Sequence, residues 1–249
     1  MFNVARTYPA PDCISRNRYN DAEVTEILKP LFHEKCYLCE RNEVQDAEVE
    51  HLIPHEGNDN LKYSWDNLFY SCSRCNGIKG NRHKNILDCT DLSINIFNQI
   101  ICKMPSMPDD DVVILPNVNP PTLSIVSTVG LLNECYNLKN TGLRKISRES
   151  LIEQMFFYYS RFIEARMTLK DPSKGNSRKR DAEEMLEAML KTEHPFSIFW
   201  RWHYLGDGFL TANYPDLRVG FYIVERLMMN NISSLTSYRL PLIICCLKH

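Results

Sequence analysis

Two Cys-x-x-Cys pairs, Cys36-Tyr-Leu-Cys39 and Cys72-Ser-Arg-Cys75, stand 32 residues apart. Four thiolates presented by two such turns satisfy the tetrahedral preference of zinc, and a site filled by four protein ligands has no position left for substrate, so this zinc is expected to be structural. The stretch between the pairs is longer than a simple zinc ribbon needs, so something is built inside it. A thioredoxin-like redox motif would use one pair in a βαβ setting, and no such setting surrounds either pair. The other six cysteines, Cys13, Cys89, Cys102, Cys135, Cys245 and Cys246, have no metal-ligand spacing and read as free thiols.

Ten cysteines in a chain whose first residues, Met1 to Ala10, carry no apolar run favour reduced thiols and metal ligands over disulfides. A cytoplasmic location follows as the expectation. No segment approaches the ~20 apolar residues of a membrane span. With 249 residues, 44% of them hydrophobic and 24% charged, the chain has the composition of an ordinary globular protein. Its net charge of -2 excludes a global positive field. Any grip on nucleic acid must come from local cations or from a partner.

Along the chain, an extended segment containing Pro9 and Pro11 leads to a helix predicted from Asn20 or Asp21 to Phe32. Val24, Ile27, Leu28 and Leu31 lie on one face, and Pro30 disturbs the last turn. Ala47 to Pro54 reads as a strand, Leu68 to Ser71 as a second, and Asn76 as the opening of a helix. Residues 104–122 read as a proline-rich loop with an acidic run at Asp109, Asp110 and Asp111 and a short strand at Val112 to Leu115. The second half reads as helical, with helices at 147–169, 181–191, 195–204 and 218–229. A basic loop at 170–180, with five Lys or Arg against one acid, serves either as a nucleic-acid contact or as a solvated linker. Four domains or segments are expected: 1–35, an N-terminal extended segment and helix; 36–103, a zinc-stabilised domain built on the two knuckles; 104–122, the loop; and 123–249, a helical domain suited to partner docking.

Between and after the knuckles stand Glu50-His51, Trp65-Asp66-Asn67-Leu68, Asn76 and Lys79-Gly80. Phosphodiester hydrolysis needs a base that is neutral near pH 7, which histidine supplies. It also needs a hard cation on the phosphate, and hard cations take oxygen ligands such as a carboxylate or a side-chain amide. Adjacent residues of a strand point to opposite faces, so Glu50 and His51 can address one phosphate only at a strand end or bulge.

The pattern Cys-x-x-Cys, Glu-His, Trp-x-Asn-Leu, Cys-x-x-Cys-Asn-x-x-Lys resembles the HNH, or ββα-metal, endonucleases. The resemblance implies His51 as general base, Glu50 as a ligand of the catalytic ion, and Asn67 as the brace of the loop between the two strands. Asn76 stands at the last motif position, often histidine, where an amide oxygen favours magnesium or manganese over a catalytic zinc. The strings Lys35 to Glu40, Val49 to His51 and Tyr63 to Leu68 further resemble the HNH subunit of Septu anti-phage systems, a subunit type that also accompanies some retrons. That likeness implies an ATPase partner of the ATP-binding-cassette kind (PtuA-like) and, in a retron, a reverse transcriptase with its non-coding RNA and DNA. DNA is the expected substrate, with RNA such as tRNA the alternative. The motif core covers residues 35–82. The fold class expected is α+β: a small zinc-stabilised ββα-metal motif embedded in a mostly helical protein.

Lys79, Arg82 and Lys84 form a small basic cluster suited to backbone phosphates. His55 and His83 read as surface residues, since the motif is complete without them. Trp200 and Trp202, with Phe196 and Phe199, are able to stack bases, but a core or a subunit interface is the commoner fate of such a cluster. The competing reading of the whole chain is a catalytically silent, zinc-stabilised subunit that binds nucleic acid or docks to an ATPase. The joint presence of Glu50, His51, Asn67 and Asn76 argues against it.

Overall fold

The structure is a computed structural model and describes residues 1–42, 44–139 and 147–222. It is a mixed α+β fold, mostly helical, with two small two-stranded sheets and a buried four-cysteine cluster. Cys245, Cys246 and most of the helix expected at 218–229 lie outside the described residues; the described part of that segment belongs to a 3-10 turn, Pro215–Tyr222.

The N-terminal third is built around β1 (Ala47–His51) and β2 (Leu68–Cys72), paired antiparallel with Ala47 opposite Cys72 and His51 opposite Leu68. Every residue of β2 is buried. Helix α2 (Ala22–Leu31) follows the short α1 (Asp12–Ser15) and packs on both strands, its Val24 and Leu28 fully inside. Of the two caps open in the sequence, Asp21 is the one used, its side chain accepting from the Glu23 amide. Pro30 is accommodated within the final turn, and the helix stops at Leu31. In the connection between the strands stand α3 (Asp59–Lys62) and a 3-10 turn, Trp65–Asn67. The first strand ends at His51, shorter than the span to Pro54 read from the sequence: the Leu52 amide still donates to the Asn67 carbonyl, but at Ile53 the Asn67 side chain takes the backbone amide and carbonyl in place of a partner strand.

Helix α4 (Ser73–Lys79) completes a ββα unit and packs on β1 and β2. It begins three residues before the expected Asn76. The second knuckle is itself the helix start: Cys72 Sγ accepts from the Cys75 amide at 3.5 Å. It ends at Gly80, whose φ of 45° lies in the region that favours glycine and whose amide bonds back to the Asn76 carbonyl.

Beyond it come α5 (Ile96–Gln99), then β3 (Ile100–Lys103) and β4 (Val113–Pro116) paired antiparallel, then α6 (Leu123–Asn137). The acidic segment between β3 and β4 is pinned by the buried Arg148, which donates to the Pro108 and Asp110 carbonyls. Helices α7 (Arg148–Lys170), α8 (Asn176–Leu190), α9 (Ser197–Gly206) and α10 (Gly208–Asn213) follow. The expected basic loop at 170–180 is therefore mostly helix. Lys170 closes α7, residues 171–175 make the turn, and Arg178, Lys179 and Arg180 sit in α8. Asp171 accepts from Ser173 and so closes the reversal in five residues, which frees the basic positions to continue the helix.

A buried carboxylate joins the two halves. Glu40, held at φ 56° just past the first knuckle, accepts from Lys35 Nζ at 3.4 Å, from the Met1 amino group at 2.8 Å and from Ser197 Oγ at 3.0 Å. Burial pushes its carboxyl up, but the two cations more than reverse this and hold it at about 2. The aromatic cluster of α9 divides: Phe196, Phe199 and Trp200 are in the core, whereas Trp202 is half-buried. Among the described residues no helix is long and apolar enough to cross a membrane.

Candidate active site

The four knuckle thiols converge in the interior. Cys36, Cys39, Cys72 and Cys75 are all buried, and their sulfurs lie within 4.8 Å of one another. The Cys39 and Cys72 sulfurs are 3.9 Å apart, too far for a disulfide. That separation matches the ~3.8 Å edge of a tetrahedron with zinc-sulfur bonds of about 2.3 Å. The donor set therefore fits a structural zinc. Helix α6 covers the cluster: Tyr136 Oη donates to the Cys39 carbonyl, Arg74 donates to the Cys135 and Leu138 carbonyls, and the buried Cys135 lies beside Cys75.

At the open end of the ββα unit, Glu50, His51 and Asn76 line one cleft of about 200 Å3 with Tyr19, His55 and Gly80. Glu50 and His51 share the cleft because β1 ends at His51, so the strict alternation of the strand no longer separates them. His51 Nε2 is 3.0 Å from the Lys62 carbonyl. A carbonyl only accepts, so Nε2 carries the proton and Nδ1 carries the lone pair. Burial lowers the pKa of the imidazole from its ordinary value, which keeps it neutral at pH 7, as a base must be. Tyr19 and His55 pack edge-on against the ring, at 4.7 and 4.8 Å between centroids.

Asn67 holds the strand connection closed. Its Oδ1 accepts from the Ile53 amide at 2.8 Å, and its Nδ2 donates to the Ile53 and Leu61 carbonyls at 2.8 and 2.9 Å. Leu61 is next to Lys62, so this clamp sets the position of the carbonyl on which His51 rests.

Asn76 Nδ2 donates to Glu48 Oε2 at 2.6 Å. Since a carboxylate only accepts, this bond decides which way the amide faces and leaves Asn76 Oδ1 for a cation. Glu48 is absent from the residues singled out in the sequence. The signal for it was present: it stands two positions before Glu50 on one strand, hence on the same face. Glu50, Asn76 and the adjacent Glu48 supply the oxygen donors that a magnesium or manganese ion prefers.

Lys79, placed by the sequence among the phosphate contacts, is fully buried. Its ammonium donates to Glu50 Oε1 at 2.7 Å and to the His51 carbonyl at 2.6 Å. As the last residue of α4, immediately before Gly80, and facing β1, it points into the unit and not toward solvent. Burial pushes the Glu50 carboxyl up to about 7, with Lys79 pulling it back. Arg82 and Lys84 are at the surface but already partnered, by Glu134 at 3.1 Å and by Glu56 at 2.6 Å. His83 faces Glu134 as well, at 3.3 Å.

Replacing Glu48 by Ala frees the Asn76 amide to rotate. Affinity for manganese, read by titration with the zinc site intact, is expected to fall about tenfold, the lower end of what loss of an outer hydrogen-bond partner costs a metal site. An unchanged affinity would show that Asn76 needs no such brace.

The HNH family, described as HNH endonuclease, matches residues 36–82. Septu protein PtuB of Bacillus thuringiensis is 43% identical over 56 residues, covering 21% of this chain and 22% of that protein. Septu protein PtuB of Bacillus mycoides (strain KBAB4) is 38% identical over 73 residues, covering 23% of this chain and 25% of that protein. The matches thus span about a quarter of the relatives' length or less. No solved structure matches. With the ββα unit, the four-cysteine cluster and the Glu50–His51–Asn76 cleft all inside the matched span, residues 36–82 are an HNH endonuclease domain, in a chain with distant and partial similarity to Septu protein PtuB.

Proposed function

We propose that this chain is a metal-dependent endonuclease that hydrolyses phosphodiester bonds in nucleic acid, working in the cytoplasm as the effector subunit of a Septu or retron-associated anti-phage system. The observation that carries the reading is His51, with its tautomer set by the Lys62 carbonyl, in the same cleft as Glu50 and Asn76.

In this reading His51 Nδ1 takes the proton from the attacking water. The Lys62 carbonyl stabilises the imidazolium that results, and Asn67 keeps that carbonyl in place. Glu50 and Asn76 would hold a magnesium or manganese ion, which when bound supplies charge neutralisation at the phosphate and the departing oxygen. Lys79 balances the buried Glu50 charge and holds the His51 main chain. A zinc on Cys36, Cys39, Cys72 and Cys75 would keep α4 on the sheet.

The partner proposed is an ATPase of the ATP-binding-cassette kind, docked on the helical half from about residue 123 onward. DNA is the substrate proposed first, RNA such as tRNA second. The electrostatics support dependence on an assembly. Net charge is -2, and Lys79, Arg82 and Lys84 are each already paired with an acid. Few phosphates are then neutralised, and few neutralised phosphates mean weak, salt-sensitive binding.

The test is cleavage of plasmid DNA and of RNA at physiological salt with magnesium or manganese, by the chain alone and with its ATPase. Activity confined to the complex is the expected result; rapid cleavage by the lone chain, unchanged by the ATPase, would refute the dependence. A silent docking subunit is favoured by one observation, the Lys79 ammonium on Glu50 where a cation would otherwise compete. No cleavage of either substrate by the complex would establish that reading instead.

A further inference from the structure

We propose that a second cleft, between α7 and the α9–α10 turn, binds a nucleoside phosphate, with the base against Trp202 and the phosphate among Lys103, Arg166 and Lys170. The cleft measures about 570 Å3, within the range of about 300–1,000 Å3 that small-molecule sites occupy. Its lining comes from the end of β3 and from α7, α9 and α10, outside residues 36–82 that the nuclease family matches.

Three observations select the ligand class. First, charge: three cations and one acid line the cleft of a chain whose net charge is -2. Arg166 is anchored by its Nε on Asp207 at 2.7 Å. Lys103 and Lys170 are exposed and have no carboxylate partner among the described residues. Second, aromatic surface: Arg166 and Lys170 are gathered over the Phe209 ring, at 5.5 and 5.9 Å from its centroid, and Trp202 and Tyr159 also line the cleft. Trp202 is fixed in place, its Nε1 donating to the Ile100 carbonyl at 2.8 Å and Phe97 packed on its ring at 4.8 Å. A rigid aromatic beside loose cations suits a flat heterocycle that carries an anion. Third, a directed polar group: His203 Nε2 accepts from the Met104 amide at 3.1 Å, so the ring proton is on Nδ1. Among the described residues that donor has no protein partner, and it is available to a base acceptor.

The same chemistry is presented by a free mononucleotide and by an unpaired nucleotide within a strand. The experiment uses the full-length His51→Ala protein with its zinc retained and no magnesium added, so that binding is read without cleavage. Fluorescence anisotropy of a labelled oligothymidylate is measured at low and physiological salt, with AMP as competitor. Lys103→Glu combined with Lys170→Glu alters only exposed side chains, and its folding is checked by zinc content and circular dichroism.

The expected result is a loss of at least about tenfold in oligonucleotide affinity for the double variant, as removal of two phosphate contacts implies. If AMP displaces the strand or binds directly with the same sensitivity, the free nucleotide is the ligand. If AMP neither competes nor binds, the ligand is a strand. Equal affinity in parent and double variant, or binding of neither probe, would overturn the proposal. Because the readout is binding and not cleavage, its failure leaves the nuclease reading untouched, and the reverse holds too.

Discussion

Substitution of His51 by Ala is expected to lower phosphodiester cleavage by the assembled protein by about a hundredfold to ten-thousandfold, the range that general-base catalysis contributes. The ring is half-buried, and its single hydrogen bond among the described residues runs to the Lys62 carbonyl. Its removal therefore takes away the Nδ1 lone pair without unseating a buried network. The cleft walls, the Asn67 clamp and the four thiols keep their own partners. Zinc content and binding of the proposed ATPase partner should thus match the parent protein, and cleavage by the proposed complex is the measurement. Parent-like rates would remove His51 from the chemistry. His55, 4.8 Å away and already accepting from the Gly57 amide, would then be the next residue to test.

The second large effect is structural. Serine at any one of Cys36, Cys39, Cys72 or Cys75 is expected to unfold the nuclease domain and not merely to slow it. Structural zinc sites in small domains contribute roughly 10–16 kcal/mol, comparable to or above the whole stability of a domain. The geometry says why the damage spreads. Cys72 is both the last residue of β2 and the cap of α4, and Cys75 lies in the first turn of that helix. If α4 leaves the sheet, Asn76 leaves Glu48 and Lys79 leaves Glu50, so the cleft loses both its amide oxygen and the counter-charge of its carboxylate. Elemental analysis should find one zinc per chain in the parent, and a chelator should melt the domain in a thermal scan. A zinc-free protein that folds normally and is indifferent to chelation would overturn this.

Much of the site was legible because the ligand chemistry is local. Two Cys-x-x-Cys turns present paired thiolates wherever the chain takes them, and the Glu-His and Asn positions stand out through the resemblance to the HNH endonucleases. Helices α7 and α9 were legible from the spacing of their apolar residues. Lys79 was not: as a sequence position it is one of several cations after the second knuckle, and only the turn of α4 brings it onto Glu50 at 2.7 Å. Glu48 was missed for the converse reason, as an ordinary strand carboxylate until Asn76 comes to meet it. The basic stretch at 170–180 misled because charge composition carries no period, and the five-residue reversal after Lys170 that lets α8 start at Asn176 depends on Asp171 and its own backbone neighbours.

By itself the sequence pointed to the four thiols and to the proposed base, brace and oxygen donors at His51, Asn67, Glu50 and Asn76, because the side-chain types stand at motif spacing. The tertiary structure alone decided where each charge ends up. Ion pairing acts across space: Glu40 finds Lys35 and Ser197, Glu50 finds Lys79, and Trp202 parts from Trp200 to line a cleft with Lys103 and Lys170. Charge at a sequence position says how strongly a group will seek a partner, but the packing of α4, α7 and α9 sets which group is within reach and whether water is left to compete.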